Sequence, residues 1–343
     1  MEPVESKKCI VWDLDNTLWK GTFLEDENIV LNDQAIDVID ELDRRGILHS
    51  IASKNDPKVF EKLKELNIDH YFLFPQINWG PKSVSIAEIA KKLNININSV
   101  AFVDDLEYER KEVEYSYPQV LCLDADVIGN LLKMEAFTPR FITENAKNRR
   151  LMYQQNIIRT DFENKYNGPK EGFVRELNIR MTISKVTEED LKRVEELTVR
   201  THQLNTTGYT YSYEELRDFL LEGSDHLLLV AGMEDRFGDY GKIGIALIHC
   251  GETVWNIKLF LMSCRVMSRG VGQVFLSDIV GRARAKGVRL QAAFNSTGVN
   301  RMMLVTYRFH GFNIVEENEG KLLLEHDFNF VFENQDYVEL ISQ

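Results

Sequence analysis

The sequence has few cysteines, and those present form no recognisable metal pattern. Cys9, Cys122, Cys250 and Cys264 include no CxxC pair and no Cys/His group with the spacing of zinc ligands. We therefore expect free thiols in a reducing compartment, most of them acting as small buried residues. Long hydrophobic runs are missing too. The longest, such as residues 227–231, fall far short of the ~20 residues that a membrane-spanning helix needs.

Basic residues are also in deficit. Lys and Arg total 41 against 54 Asp and Glu, which gives a formal net charge of −13. Nucleic-acid binding requires a basic surface, so this balance argues against a nucleic-acid partner. The first residues, MEPVESKKCIVWDLDNT, lack the basic and apolar segments of a secretory signal. We expect a cytoplasmic protein with no membrane and no nucleic-acid partner.

The length of 343 residues and an apolar content of 44% predict a globular protein with two domains. Residues 1–137 alternate β-rich runs with amphipathic helices, which predicts an α/β domain with a doubly wound parallel sheet. Residues 138–177 are mostly polar and helical, as expected for a connector. Residues 178–343 pass through antiparallel strands, a glycine loop and a helix, which predicts a separate α+β domain.

Polar side chains stand at the ends of strands in the first predicted domain. Its strands are predicted at residues 9–14, 48–53, 70–74, 100–104 and 120–123. Ligands of such sheets bind beyond the carboxyl ends of the strands. The run Asp13-Leu14-Asp15-Asn16-Thr17 ends the first strand, and Asp104-Asp105 ends another. Ser53 ends the second strand and Lys82 precedes a helix, so both are suited to hold phosphate oxygens.

This arrangement favours phosphotransfer chemistry. In-line attack on phosphorus needs a nucleophile, a proton donor, and a cation that neutralises the equatorial oxygens. Asp13 and Asp15 are suited to the first two roles if the chain leaves the strand between them. Asp104 and Asp105 are suited to complete a magnesium site, because Mg²⁺ prefers carboxylates with waters and phosphate. A DxD pair alone would equally fit a helix cap or a solvated loop.

The segments VWDLDNTLW, ASKND, GPK and FVDD resemble the four motifs of the haloacid dehalogenase (HAD) superfamily. This resemblance implies a HAD-like fold, with Asp13 as a nucleophile that forms an aspartyl-phosphate and Asp15 as general acid/base. It implies phosphate binding by Thr17, Ser53 and Lys82, and Mg²⁺ binding by Asp13, Asp15, Asp104 and Asp105. The gaps between these motifs are too short for a cap domain, although residues 19–28 could form a small flap.

The second predicted domain carries a glycine loop. Arg269-Gly270-Val271-Gly272 opens a helix after a strand, where backbone N–H groups can bind phosphate, although a structural turn is an equal alternative. With the downstream Asn300 and Tyr307-Arg308-Phe309-His310-Gly311-Phe312, it resembles the GNAT acyltransferase fold. Met267 stands where that loop usually has Arg or Gln, which favours a phosphopantetheine arm over ordinary coenzyme A. The residues expected to bind substrate or phosphate here are Arg265, Arg269, Gly270, Gly272, Asn300 and Tyr307.

Cys264 lies in FLMSCRV, just past the strand whose backbone holds the acyl carbonyl in GNAT proteins. We expect its thiol to lie within reach of a thioester carbon. Arg265 beside it would help to lower the pKa of that thiol. His202, in THQLN, is a candidate activating base, with a purely structural histidine as an equal alternative.

A HAD domain followed by THQLNTTGYTYS and WNIKLFLMSCRVMSRGVG resembles the FkbH-like glyceryltransferase/phosphatases of polyketide pathways, over residues 7–330. The resemblance implies that glyceryl from 1,3-bisphosphoglycerate loses phosphate and is delivered to the phosphopantetheine of an acyl carrier protein. Cys264 would carry the glyceryl thioester, and His202 stands where Asn is expected. The carrier would dock on a basic stretch, for which a solvated helix end is the alternative. That stretch consists of Arg282, Arg284, Lys286 and Arg289.

Two other functions stay open. The first is a HAD phosphatase fused to a coenzyme A-dependent N-acyltransferase that acts on a sugar or amino acid. Met267 and Cys264 argue against it. The second is a non-enzymatic scaffold whose acyltransferase fold only docks a partner, and the complete DxDxT, Ser, Lys and DD set argues against that.

Overall fold

The computed structural model describes residues 6–26, 28–331 and 336–342. The predicted domains begin at residue 1 and end at residue 343, and both of these positions lie outside the described residues. The chain divides into two compact units, Met1–Gln154 and Gln155–Gln343. The division falls inside the segment 138–177 that the sequence indicates as a connector. Within the described ranges, no helix combines the length and the apolar character that crossing a bilayer requires.

The first unit is an α/β structure. Its strands are β1 Cys9–Trp12, β2 Trp19–Lys20, β3 Val30–Leu31, β4 Leu48–Ser53, β5 Gln76–Ile77, β6 Val100–Asp104 and β7 Leu121–Asp124. Its helices are α1 Asp33–Arg44, α2 Val59–Glu65, α3 Lys82–Leu93, α4 Glu107–Ser116 and α5 Glu144–Lys147, followed by the first residues of α6 Arg149–Lys165. Five strands form one parallel sheet in the order β5-β4-β1-β6-β7, while β2 and β3 form a short antiparallel pair.

The three central strands of this sheet are buried along their whole length. Every residue of β1, β4 and β6 is buried, as expected for parallel strands enclosed on two sides. Helix α1 begins after Asn32, whose side chain accepts a hydrogen bond from Ala35 N, and it buries Val38, Ile39 and Leu42. This packing places the carboxyl ends of β1, β4 and β6 side by side.

One predicted strand is wrong. Residues 70–74 were expected to be extended, but Asp69–Tyr71 form a 3₁₀ turn and the edge strand is β5. Phe72 and Leu73 are buried. These two side chains are therefore apolar because they pack in the core, and not because the segment is a strand. Only Phe72 makes a bridge to the sheet, opposite His49.

The second unit is an α+β structure. Its helices after α6 are α7 Lys170–Glu176, α8 Leu191–Arg200, α9 Tyr213–Asp218, α10 Val271–Lys286 and α11 Arg301–Phe309. Its strands are β8 Ile179–Lys185, β9 His226–Asp235, β10 Gly238–Cys250, β11 Val254–Met262, β12 Arg289–Asn295, β13 Phe312–Asn318, β14 Lys321–His326 and β15 Val338–Ser342. They form one sheet in the order β13-β14-β12-β11-β10-β9-β8-β15. The predicted fold class, a parallel α/β unit followed by an α+β unit, is confirmed.

Strands β11 and β12 pair in parallel over only part of their length, from Val254 opposite Arg289 to Ile257 opposite Ala292. Beyond that point the segment 204–206 lies between them. Thr206 N donates to Phe260 O at 3.0 Å, and Asn295 N donates to Thr206 O at 2.9 Å. The chain itself therefore completes the sheet where the two strands separate.

Candidate functional site

A group of carboxylates lies at the carboxyl edge of the parallel sheet. Asp13 directly follows β1, Asp104 ends β6, and Asp105 comes next along the chain. One oxygen from each of these three side chains lies within 4.8 Å of the others. Asp13 and Asp104 are buried. Three converging carboxylate oxygens are a donor set that suits Mg²⁺, so these residues fit the ion that the sequence implies.

Lys82, the first residue of α3, reaches into this group. Its Nζ lies 2.6 Å from Asp13 Oδ1, 2.8 Å from Asp104 Oδ2 and 2.8 Å from Glu109 Oε2. The three N–H donors of the ammonium therefore each have a carboxylate partner. Burial opposes the charge on Lys82, but Asp13, Asp104 and Glu109 outweigh it and hold the pKa above its usual value. The lysine stays cationic and offsets part of the negative charge.

Burial also acts on the carboxylates. It raises the pKa of Asp104 to about 6 against the opposing effect of Lys82, and it raises the pKa of Asp13 in the same way. The pKa of Asp105 is raised by burial and by the neighbouring Asp104. Crowded, desolvated carboxylates favour a bound cation, because positive charge stabilises their ionised forms.

Asp15 has a different environment from Asp13. Its Oδ1 accepts hydrogen bonds from Trp19 Nε1 at 2.9 Å and Phe23 N at 3.1 Å, and its Oδ2 accepts one from Asn55 Nδ2 at 3.0 Å. Of the four predicted metal ligands, the structure brings three carboxylates together and leaves that of Asp15 outside the group. Three donors fix the orientation of the Asp15 side chain, as a proton-transfer group requires.

The predicted phosphate-binding residues Thr17 and Ser53 are both buried. The Ser53 side chain hydrogen-bonds Asp13 and helps to favour its ionised form. Thr17 Oγ1 is buried and has no hydrogen-bond partner within the described part of the chain. A buried hydroxyl without a partner is costly, so an acceptor such as a phosphoryl oxygen would satisfy it.

Three contributors to this site were missed by the sequence reasoning: Glu109, Lys54 and Asn55. Lys54 Nζ contacts Glu109 Oε1 at 2.9 Å, so Glu109 joins Lys54 to Lys82. A signal was available, because Glu109 lies in the first turn of α4, four residues after Asp105. Lys54 and Asn55 directly follow Ser53.

In the second unit, Cys264 begins a 3₁₀ turn, Cys264–Arg269, between β11 and α10. It is half-buried and packs against the core of the unit. Gly270 ends the turn with φ of 72°, in the left-handed region that glycine adopts without strain, and α10 begins at the next residue. The predicted arrangement of strand, glycine loop and helix is present.

The other predicted binding residues of this unit make internal contacts. Arg265 Nη2 donates to Tyr240 O at 3.1 Å. Arg269 is buried, and its Nη1 donates to Glu163 Oε2 at 3.1 Å. Asn300 is buried and donates to Asn205 O and Asn295 O at 2.9 and 2.8 Å. These contacts hold the glycine loop and the segment 204–206 in place.

Tyr307 is fully buried, and its ring packs against Phe260 and Phe312. His202 is exposed in the turn that follows α8. Two N–H groups of the adjoining half of β11 already have partners, since Phe260 N donates to Thr206 Oγ1 and Met262 N to Leu204 O, each at 3.0 Å. A thioester carbonyl would need another donor or a shift of the segment 204–206.

An apolar cavity of about 270 Å³ lies beside the glycine loop. Its wall includes Met262, Val266 and Met267 on one side and Met302 and Phe309 of α11 on the other. Met267, at the position where an Arg or Gln was expected, is 44% exposed. The cavity therefore suits an apolar or uncharged chain and presents no cation from that position.

The basic stretch proposed for carrier docking is partly neutralised by its neighbours. Arg282 contacts Asp278 at 2.7 Å, and Arg289 contacts Glu325 at 2.6 Å. Arg284 Nη2 donates to Phe328 O at 2.7 Å. Docking on Arg282, Arg284, Lys286 and Arg289 stays a prediction.

No family model matches the sequence, and no curated protein matches it. Among solved structures, the chain is similar to the N-terminal part of protein BF1531 from Bacteroides fragilis, which contains a phosphatase domain complexed with Mg. The two are 33% identical over 38% of this chain and 39% of that one, with a TM-score of 0.31.

Two acetyltransferase structures are also similar. The ribosomal-protein-S18-alanine N-acetyltransferase from Escherichia coli is 15% identical over 44% of this chain and 99% of its own, with a TM-score of 0.34. The PaiA N-acetyltransferase from Thermoplasma acidophilum, in complex with coenzyme A, is 17% identical over 43% of this chain and 99% of its own, with a TM-score of 0.33.

Proposed function

We propose that the first unit is a magnesium-dependent phosphatase with Asp13 as its nucleophile. The observation that carries the proposal is the convergence of Asp13, Asp104, Asp105 and Lys82 at the carboxyl edge of the sheet. Asp13, Asp104 and Asp105 would hold Mg²⁺, which supplies positive charge beside the phosphoryl oxygens when bound. Ser53 and Thr17 would donate hydrogen bonds to those oxygens.

The reaction has two displacements at phosphorus. The Asp13 carboxylate attacks the phosphate monoester, the bond from phosphorus to the ester oxygen breaks, and Asp15 gives its proton to the leaving oxygen. Asp15, now ionised, takes a proton from water, which attacks the aspartyl-phosphate and releases inorganic phosphate and free Asp13. The separate hydrogen-bond environments of Asp13 and Asp15 support this division of roles.

The test is phosphate release from p-nitrophenyl phosphate and 3-phosphoglycerate, with Mg²⁺ or with EDTA. We expect release only with Mg²⁺, and a loss of about 10³-fold or more in Asp13→Asn, since the amide is a poor nucleophile of nearly equal shape. The exposed Asp37→Asn on α1 is the matched control. Undiminished release by folded Asp13→Asn would remove Asp13 from the mechanism.

For the second unit we propose acyl transfer to the phosphopantetheine of an acyl carrier protein in the cytoplasm, with 1,3-bisphosphoglycerate as the glyceryl donor. Two features support this proposal. Cys264 begins the turn that leads to Gly270, and an apolar cavity lies beside the glycine loop. The Cys264 thiolate attacks the acyl carbon, and the bond from that carbon to the phosphate oxygen breaks. The carrier thiolate then attacks the thioester and releases Cys264.

The two chemistries suit the two phosphates of this donor. Its acyl phosphate is activated towards a thiolate, whereas its C3 phosphate is an ordinary ester that needs a metal-assisted site. The test is intact-mass spectrometry of a carrier protein incubated with the enzyme, Mg²⁺ and 1,3-bisphosphoglycerate. A glyceryl adduct on the carrier is expected. Acetylation of an amine by acetyl coenzyme A, with no carrier adduct, would favour an N-acyltransferase instead.

A further inference from the structure

Lys54 is a half-exposed cation at the edge of the carboxylate group. It directly follows Ser53 at the end of β4, and its side chain is 32% exposed, compared with 2% for that of Lys82. Its Nζ contacts Glu109 Oε1 at 2.9 Å, while Lys82 Nζ contacts the other oxygen of the same carboxylate at 2.8 Å. Glu109 is itself buried, so it holds the ammonium of Lys54 in a defined place.

The two lysines have different capacities left for a ligand. Each ammonium has three N–H donors. Those of Lys82 are occupied by Asp13, Asp104 and Glu109. Lys54 forms one ion pair within the described part of the chain, with Glu109, which leaves two donors for solvent or substrate. Of the two lysines, Lys54 is therefore the one whose ammonium can bind an anionic group of a ligand.

The position of Lys54 limits what that anion can be. One carboxylate joins its ammonium to that of Lys82, and Lys82 contacts the nucleophile Asp13. The path from Lys54 Nζ to Asp13 thus consists of three contacts of 2.9, 2.8 and 2.6 Å, through Glu109 and Lys82. An anionic substituent a few bonds from the phosphoryl group could reach it.

We infer that Lys54 is a specificity residue that binds a second anionic group, a carboxylate or phosphate, on the phosphate monoester substrate. This inference rests on the proposed phosphatase function and adds the class of ester to it. An exposed ion pair normally contributes little, because both side chains must be ordered and solvent screens them. Here the buried Glu109 has already ordered the lysine, so less entropy is lost when the substrate binds.

The test compares two ligands that differ in that substituent. 3-Phosphoglycerate carries a carboxylate where glycerol 3-phosphate carries a hydroxymethyl group. Both are titrated calorimetrically into Asp13→Asn protein with Mg²⁺, so that no turnover occurs. We expect tighter binding of 3-phosphoglycerate, and a loss of about tenfold in that preference when Lys54→Gln is added. Lys54→Arg should keep most of it, and Lys58→Gln, at an exposed lysine four residues further along the chain, should leave it unchanged.

Two results would overturn the inference. Equal weakening of both ligands by Lys54→Gln would mean that Lys54 contacts the phosphoryl group, and an unchanged affinity for both ligands would mean that it contacts neither. Turnover of p-nitrophenyl phosphate by the wild-type protein is measured separately. If that turnover is absent, the proposed phosphatase fails, and the binding ratio still decides the role of Lys54.

Discussion

Lys82 Nζ contacts Asp13 Oδ1 at 2.6 Å, and neither side chain is more than 9% exposed. Because Asp104 and Glu109 contact the same ammonium, one buried cation offsets part of the negative charge of three carboxylates. This relationship makes the site a stability element as well as a reaction centre. Removing the cation leaves buried charge of one sign, which is the costly way to break a buried ion pair.

We therefore expect Lys82→Met to lower the free energy of unfolding by about 3–5 kcal/mol in EDTA, and by less with Mg²⁺, which replaces the lost positive charge. The measurement is urea denaturation under both conditions. Lys92→Met, on the exposed side of the same helix, should change stability by no more than about 0.5 kcal/mol. Equal stability of wild type and Lys82→Met in EDTA would contradict the electrostatic account.

Asp15→Asn should slow phosphate release by about 10²–10⁴-fold, because proton transfer to and from the reacting oxygens is lost. The amide keeps the shape of the side chain, so its Oδ1 can still accept from Trp19 and Phe23. Release from substrates with a good leaving group, such as p-nitrophenyl phosphate, should fall less than release from alkyl phosphates. Rates that match wild type at every pH for both substrates would show that Asp15 transfers no proton.

His49 predicts acid sensitivity in the first unit. It is fully buried, its Nδ1 accepts a hydrogen bond from Trp12 Nε1 at 3.1 Å, and burial lowers its pKa to about 3. Between that value and the ordinary histidine pKa of about 6.5, the unfolded chain binds a proton that the folded chain does not. Stability is therefore full above pH 6.5 or so and falls on acidification, by at most about 1.4 kcal/mol per pH unit.

The check is urea denaturation of wild type and His49→Gln between pH 7.5 and about 4.5, a window set by these pKa values. The substitution removes the proton-binding group, so the stability of the variant should depend less steeply on pH. The difference between the two proteins separates His49 from His310 and His326, whose pKa values burial also lowers. If the stabilities of the two proteins depend on pH in the same way, His49 contributes nothing to the acid sensitivity of the first unit.

Thr206→Val should destabilise the second unit. Thr206 Oγ1 accepts the hydrogen bond from Phe260 N, and both residues are buried. Valine keeps the shape but leaves that N–H without a partner, which costs about 1–3 kcal/mol. Thr182→Val in β8, whose side chain is only partly buried, is the matched control and should change stability by less than about 0.5 kcal/mol. A loss no larger than that of the control would argue that the segment 204–206 can leave the gap between β11 and β12.

Cys264→Ala tests the covalent relay. Enzyme incubated with 1,3-bisphosphoglycerate and no carrier should gain a glyceryl mass that hydroxylamine removes, and the variant should gain none. Peptide mapping locates the adduct. Labelling of Cys9, Cys122 or Cys250, or full carrier loading by the variant, would mean that transfer runs directly from substrate to the pantetheine thiol.

Much of the site could be predicted from the sequence because strand ends place it. Asp13, Asp104 and Asp105 each end or directly follow a buried apolar run, and β1 and β6 are neighbours in the parallel sheet, so their carboxylates meet. The roles of these residues stay predictions. The order of fold classes was likewise evident from the change from alternating β-α units to consecutive strands.

What the sequence determined by itself was local: which runs are buried, where they end, and which side chains stand there. The tertiary structure alone decided the pairings between distant residues, because two side chains far apart in the sequence come within contact distance only when their elements pack together. It joined Lys54 to Lys82 through Glu109, and paired Arg269 with Glu163. It also placed the segment 204–206 between β11 and β12, where the unpaired backbone of two separating strands needed hydrogen-bond partners.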